Sequence, residues 1–312
     1  MKIVFMGTPD FAANVLQKLI NAQYEIVLIV SQPDRPVGRK KELSPTAVKK
    51  VALEYKISVF QPERIKGDYQ AILDAKPDII ITAAYGQIIP KAVLDAPRLG
   101  CINVHASLLP KYRGGAPIHQ AIIDGEEETG VTIMYMEKAM DTGDIISQVS
   151  QPILDTDDVG TLFEKLSEVG ANLLVETLPL VENGTAERTP QDGEHATYAW
   201  NIKREQELID WQKSTRDVFN QIRGLHPWPV AYTTINGVNV KVFKAIKLHE
   251  TADIAAGSVV RVGGEGIDVV CGDGGVLRLL EIQIAGKKRM PLKNLLNGGH
   301  PFVVGEKLNF VF

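Results

Sequence analysis

Apolar residues follow two rhythms along this chain, and the change falls near residue 205. In the first third, short continuous runs alternate with stretches of helical spacing. Lys2–Met6 is β-rich and ends at Gly7-Thr8-Pro9-Asp10, a turn that offers an N-cap candidate. Phe11–Ile20 then repeats at a helical period. Glu25–Val30, Pro77–Ala84 with its Ile79-Ile80-Ile81, and Cys101–Val104 are further runs. Uninterrupted β-branched runs suit strands buried on both faces, as in a parallel sheet covered by helices. The pattern therefore predicts a doubly wound, mostly parallel, Rossmann-like α/β domain with its ligand crevice at the carboxyl ends of the strands. Val131–Glu137 and Asp144–Ile153 read as two more strands joined by the turn-rich Ala139–Gly143. Val159–Val181 reads as a long helix, capped by Asp157 or Asp158 and ending before Gly184.

From Thr185 to Glu205 the periodicity weakens and Thr, Pro, Asp and Gly accumulate, the composition of a linker. Beyond it, Ser214–Leu225 predicts a helix stopped by His226-Pro227-Trp228-Pro229. Five short β-rich segments follow: Ala231–Ile235, Val238–Leu248, Gly257–Val262, Gly266–Cys271 and Val276–Ile284. Asn236-Gly237 is a strong hairpin signal, and Gly263-Gly264 and Asp273-Gly274-Gly275 mark further turns. Short strands with a capping helix predict a small β-barrel of the oligonucleotide-binding type. The expected division is a catalytic domain over 1–184, a linker over 185–205 and a barrel over 206–312, since 312 residues exceed one ordinary domain.

Charge sharpens this division. Residues 1–202 carry 19 Lys and Arg against 27 Asp and Glu, whereas residues 203–312 carry 15 against 11. An acidic first part and a basic barrel are together consistent with nucleic-acid contact by the latter. Cys101 and Cys271 fall in strand-like runs, far apart in sequence, and read as buried reduced thiols rather than a disulfide or thiolate metal site. No apolar run approaches membrane-spanning length and the amino terminus lacks a signal-peptide core, so a cytoplasmic setting without membrane contact is expected. Met134 and Met136 alternate within a strand and read as packing. Trp200, Trp211 and Trp228 suit either base stacking or core and interface packing.

Several chemistries lack their motifs. There is no phosphate-binding Gly-Lys-Ser/Thr loop, and Gly7-Thr8-Pro9 replaces the glycine pattern of a dinucleotide site. Neither His-Glu-x-x-His nor paired Cys-x-x-Cys occurs, so no metal is expected; Ser107 lacks a nucleophile elbow. What remains is CINVHASLLPKYRGGAP, from Cys101 to Pro117. Asn103 and His105, two apart in a strand, share one face, and an amide beside an imidazole can polarise an acyl carbonyl and shuttle protons. Asp141, in the loop Met140–Asp144, would orient His105 if the fold brings them together; an Asx-turn is the plainer use of a carboxylate in this loop.

These motifs resemble those of the folate-dependent formyltransferases: Asn103-x-His105, Ser107-Leu108-Leu109-Pro110, Arg113-Gly114 and Asp141-x-Gly143-Asp144. The opening FMGTPDFA, then QPDRPVGR, AAYGQIIP and Pro227-Trp228-Pro229, extend the similarity over essentially the whole chain. The resemblance implies a catalytic set of Asn103, His105 and Asp141. It also implies a folate wall from Ser107, Leu108, Leu109 and Pro110, with Ala84, Tyr85, Gly86 and Gln87 enclosing the pterin. 10-Formyltetrahydrofolate would be the co-substrate, with no metal. The expected acceptor is the α-amine of a methionyl ester on charged initiator tRNA, and the protein is expected to act as a monomer. In family members that act on tRNA, a basic insertion enters the acceptor end; Arg35, Arg39, Lys40 and Lys41 fall there, with Arg39 on its key arginine. Glu42 interrupts the uniformly basic stretch expected after them. A related enzyme formylating a small amine or an amino-sugar nucleotide is the alternative, and a noncatalytic tRNA-binding protein a further one.

Overall fold

A computed structural model describes residues 1–37, 42–295 and 300–309. Its elements run β1 (Lys2–Gly7), α1 (Asp10–Asn21), β2 (Glu25–Val30), β3 (Arg35–Val37), β4 (Glu42–Ser44), α2 (Ala47–Glu54), β5 (Val59–Phe60), α3 (Gln70–Asp74) and β6 (Ile79–Ala83). Then come α4 (Lys91–Leu94), β7 (Cys101–His105), α5 (Pro117–Ile123), β8 (Glu128–Tyr135), β9 (Ile145–Pro152), α6 (Val159–Glu182), α7 (Arg204–Glu207) and α8 (Thr215–Gly224). The remainder is β10 (Tyr232–Ile235), β11 (Val238–Thr251), β12 (Val259–Gly263), β13 (Gly266–Val270), β14 (Gly275–Ile284), β15 (Met290–Pro291) and α9 (Leu292–Leu295).

Two compact units emerge, and neither is a single stretch of chain. One comprises Met1–Pro117, Glu128–Pro152 and Phe163–Trp200; the other Ile118–Glu127, Ile153–Leu162 and Asn201–Phe312. The stretch that composition marks as a linker belongs, through Trp200, to the first unit. Its backbone pairs there, with Ile145 and Thr189 exchanging both amide bonds at 2.8 and 2.9 Å.

In the first unit a seven-stranded sheet runs β5-β2-β1-β6-β7-β8-β9. Pairings from β5 to β7 are parallel, and β7-β8 and β8-β9 are antiparallel. Ile79, Ile80 and Ile81 are wholly buried, as a strand covered on both faces requires. The chain steps from β1 outward to β2 and returns on the other side at β6, so the crevice opens at the carboxyl ends of β1 and β6. Their last residues, Gly7 and Ala83, are register partners. A Cβ on Gly7 would stand 2.5 Å from the Ala12 Cβ and 2.9 Å from the Ala83 carbonyl oxygen, so only glycine lets α1 pack this close. Gly7→Ala is expected to destabilise the protein by about 1–3 kcal/mol through overpacking, read as a lower urea midpoint at unchanged m-value.

The N-cap expected in the turn before α1 is not a side-chain cap. Extended Pro9 occupies the position and makes no side-chain bond, while the Thr8 hydroxyl is directed elsewhere. For α6 the expectation holds at Asp158, whose Oδ1 accepts from the Thr161 amide at 2.9 Å. Strand β8 begins three residues before the apolar run, because pairing with β9 extends to Glu128, whose side chain is exposed.

The second unit holds an antiparallel sheet in the order β10-β11-β14-β13-β12, with β15 beside β14. Asn236 and Gly237 both take positive φ, 49° and 73°, as a tight hairpin with a right-handed twist demands. Residues 305–309 lace both edges of this sheet: the Gly305 amide donates to Val259, the Val259 amide to Glu306, and the Asn309 amide to Thr234, each at 2.8 Å. Helix α8 is capped by Ser214, whose hydroxyl accepts from the Asp217 amide, and buries Val218, Phe219 and Ile222 in the core. Trp211 is buried there too, its indole N–H donating to the Thr233 hydroxyl at 3.0 Å, which is a packing role. Cys101 and Cys271 are free and buried, and burial pushes each thiol up to about 12. Among the described residues no helix is long and apolar enough to cross a membrane.

Candidate functional site

Strands β6 and β7 bring the first two groups together. Thr82 and Asn103 are register partners, and the Thr82 hydroxyl lies 2.8 Å from Asn103 Oδ1. That donation occupies the amide oxygen. No described residue accepts from the amide nitrogen, so the NH2 group is the part of Asn103 left to donate. Two residues on, His105 is buried at the end of β7, and its Nε2 lies 3.0 Å from the Tyr112 carbonyl. A carbonyl only accepts, so Nε2 carries the proton in either charge state. In the neutral ring Nδ1 is therefore the basic nitrogen.

The segment after β7 is held as a rigid wall. Thr132, opposite His105 in register, donates its hydroxyl to the Ser107 carbonyl at 2.7 Å and accepts from the Leu109 amide at 3.1 Å. Gln148 donates to that hydroxyl at 2.8 Å and to the Leu109 carbonyl at 2.9 Å. Ser107 is fully buried and turns its hydroxyl onto the Lys111 carbonyl at 2.7 Å, so it braces the loop from within. Leu109 is also buried, whereas Leu108 and Pro110 remain half-buried.

Asp141 is brought to this site. Its Oδ2 accepts from the Gly114 amide at 2.8 Å and stands 3.9 Å from His105 Nδ1. The orientation of the imidazole thus comes from Tyr112 rather than from Asp141, which faces the basic nitrogen across a gap longer than a hydrogen bond. Asp141 has φ of 53°, a strained setting that its surroundings must hold. Gln191 does so: its amide donates to the carbonyls of Asp141 at 2.9 Å and Gly143 at 2.8 Å. Its own oxygen accepts from Nε and an Nη of buried Arg113, at 3.1 and 2.8 Å. Gln191→Ala is expected to lower kcat about 10- to 100-fold by letting the carboxylate drift, with the KM of the donor little changed, as steady-state kinetics will read.

Across the crevice, Ala84–Gln87 follows β6. Ala84 and Gly86 have φ of 46° and 89°, left-handed settings that make the chain turn sharply here. The turn is anchored at the Tyr85 carbonyl, which accepts from the Thr8 hydroxyl and the Gln32 amide, both at 3.1 Å. Gln87 accepts from the Ile65 amide at 2.9 Å and donates to Gln32. The phenol oxygen of Tyr85 is buried without a partner among the described residues, and burial pushes its pKa up to about 12. Ile88 next to the turn is 88% exposed. Asp34, where the basic loop leaves β2, bonds to Gln61 at 2.8 Å and to the Lys49 ammonium at 2.6 Å; the Gln61 amide first, then Lys49, hold its carboxyl below the ordinary range. Arg35 is exposed and pairs with Glu63 at 2.9 Å. Arg39, Lys40 and Lys41 lie outside the described residues.

The structure thus gathers Asn103, His105, Asp141 and the Ser107–Pro110 wall. Sequence reasoning missed Thr82, Thr132, Gln148 and Gln191, whose contacts to the site are long in sequence. Only Thr82 and Thr132 carried any signal: polar residues inside apolar strands, Thr132 being wholly buried and Thr82 nearly so.

An amide donor, a basic imidazole nitrogen and a carboxylate converging at the carboxyl end of a doubly wound sheet define a site for group transfer at an acyl carbon. The match to known families agrees: residues 1–178 fit the model described as formyl transferase, and residues 201–300 that described as formyl transferase, C-terminal domain. The chain belongs to the formyl transferase family. It is 53% identical over 310 residues to proteins named methionyl-tRNA formyltransferase from two Staphylococcus aureus strains, RF122 / ET3-1 and MW2, covering 98% of this chain and 99% of each relative. Among solved structures, an N-formyltransferase from Helicobacter canadensis, in complex with folinic acid and dTDP-3-aminofucose, superposes with a TM-score of 0.68 at 21% identity. That likeness covers 89% of this chain and 98% of that one. HypX from Aquifex aeolicus in complex with tetrahydrofolic acid superposes with a TM-score of 0.66 at 18% identity; 95% of this chain spans 47% of that protein. At these identities the two structures establish the shared fold.

Proposed function

We propose that this protein moves the formyl group of 10-formyltetrahydrofolate to the α-amine of methionyl initiator tRNA in the cytoplasm. The observation that carries the reading is His105 Nδ1, left basic by the bond to Tyr112 and faced by Asp141 at 3.9 Å. The crevice residues suit a folate. Ala84–Gln87 forms a tight turn at the end of β6 whose backbone can meet a pterin edge, and exposed Ile88 and half-buried Leu108 offer apolar surface beside it. The donor supplies an activated formyl carbon.

The amine nitrogen attacks that carbon, and its proton passes to His105 Nδ1, where Asp141 stabilises the imidazolium. The Asn103 amide donates to the formyl oxygen as negative charge gathers on it. Collapse breaks the bond to folate N10, which leaves with a proton, and the new amide remains on the methionine. The reading also assigns residues 1–184 to catalysis, with Gln191 of the stretch 185–205 bracing Asp141 as that stretch leads on, and 206–312 to RNA contact, with Arg35, Arg39, Lys40 and Lys41 meeting the acceptor end. The basic excess of residues 203–312 supports this over a small-molecule acceptor, which needs no such surface.

An amino-sugar nucleotide as acceptor is the second reading, favoured by the shared fold with the Helicobacter enzyme. Radiolabelled donor incubated with methionyl-tRNA, with free small amines or with amino-sugar nucleotides separates them. Label is expected on methionyl-tRNA alone; label on a sugar nucleotide instead overturns the assignment. Arg39→Ala is expected to raise the KM for methionyl-tRNA about tenfold while donor affinity stays unchanged, and the effect should shrink in high salt.

A further inference from the structure

We propose that Tyr198 and Trp200 form a stacking platform for an unpaired base at the 3′ end of the RNA substrate. The inference rests on the tRNA reading above. The two rings lie parallel, 5.4 Å between centroids and 4° between planes, yet they are 48% and 60% exposed. Exposed aromatic faces held in this way are costly in water and offer a π-surface on which any base stacks. Their rigidity comes from the residue between them. Ala199 is wholly buried, its amide donates to the Arg113 carbonyl at 2.8 Å, and its carbonyl accepts from the Ala116 amide at 3.1 Å. Residues 198–200 therefore alternate out, in, out, like a strand laid on the segment 110–116.

That segment is the one that orients His105 through Tyr112 and binds Asp141 through Gly114. Gly114 has φ of 120°, and a Cβ there would stand 2.6 Å from the Ala199 carbonyl oxygen, so the two backbones are in direct contact. The backbone that carries the exposed rings thus abuts the backbone that binds the catalytic groups. The amine to be formylated is carried on the terminal nucleotide of the RNA, so that nucleotide and its unpaired neighbours must lie just outside those groups. A free small amine brings no base to such a surface.

Two measurements test this. In steady-state kinetics Trp200→Ala is expected to raise the KM for methionyl-tRNA about tenfold, leaving kcat and the donor KM unchanged, and Trp200→Phe is expected to restore most of the loss because it keeps a ring. In the second, Trp200 emission, taken as the difference between the wild type and Trp200→Phe, is followed during titration with uncharged tRNA. Intact tRNA should quench it, and tRNA trimmed of its unpaired 3′ nucleotides should not. Equal quenching by the trimmed RNA, an unchanged methionyl-tRNA KM, or a parallel rise in both KM values would overturn the platform. Should the wild type form no formylmethionyl-tRNA at all, the functional reading fails instead, and the quenching measurement still decides the platform.

Discussion

Replacing His105 with alanine or glutamine is expected to reduce kcat for formyl transfer about 10²- to 10⁴-fold, the range removed with a positioned general base. The two substitutions separate chemistry from packing. Alanine leaves a cavity and removes the His105 hydrogen bond to the Tyr112 carbonyl, at a cost of about 1–3 kcal/mol in stability. Glutamine can donate to that carbonyl yet cannot take up a proton. Single-turnover transfer from labelled donor should therefore be crippled in both variants, whereas thermal melting should shift mainly in the alanine variant. A glutamine variant that retains more than about a tenth of wild-type turnover would remove His105 from the proton path.

Asp141→Asn should cost nearly as much, for a different reason. The asparagine oxygen still accepts from the Gly114 amide, so the loop and its strained φ persist. What disappears is the negative charge 3.9 Å from His105 Nδ1, worth about 4 kcal/mol to an imidazolium at an effective dielectric constant near 20. Partial access of water reduces this, and a fall in kcat of about 10²- to 10³-fold is expected, with the donor KM little altered. Equal losses of kcat and donor binding would mean that Asp141 shapes the crevice rather than the charge.

Much of the first unit was legible because buried parallel strands leave uninterrupted apolar runs. β1, β2, β6 and β7 all fall where those runs predict. The two residues on one face of β7 followed from strand geometry alone. Helix α2, capped by Thr46, went unread because its buried face amounts to Val48 and Ala52, too narrow a stripe to stand out. The stretch 185–200 reads as a connector for a related reason. It carries no apolar periodicity, yet it contributes Gln191 and a backbone ladder through Thr197 and Ala199, interactions of backbone and amide that leave no hydrophobic trace.

The amino-acid order by itself determined the alternation of strands and helices, the change to short strands and tight turns in the last third, and the placement of Asn103 and His105 on one face. These follow from local periodicity and from motifs only a few residues long. Tertiary structure alone decided which nitrogen of His105 is basic, that Asp141 lies opposite it, and that Gln191 and Arg113 hold Asp141 there. The first depends on a loop that brings Tyr112 back onto His105, and the others on groups tens of residues apart meeting within a few ångströms; no hydrophobic periodicity encodes either.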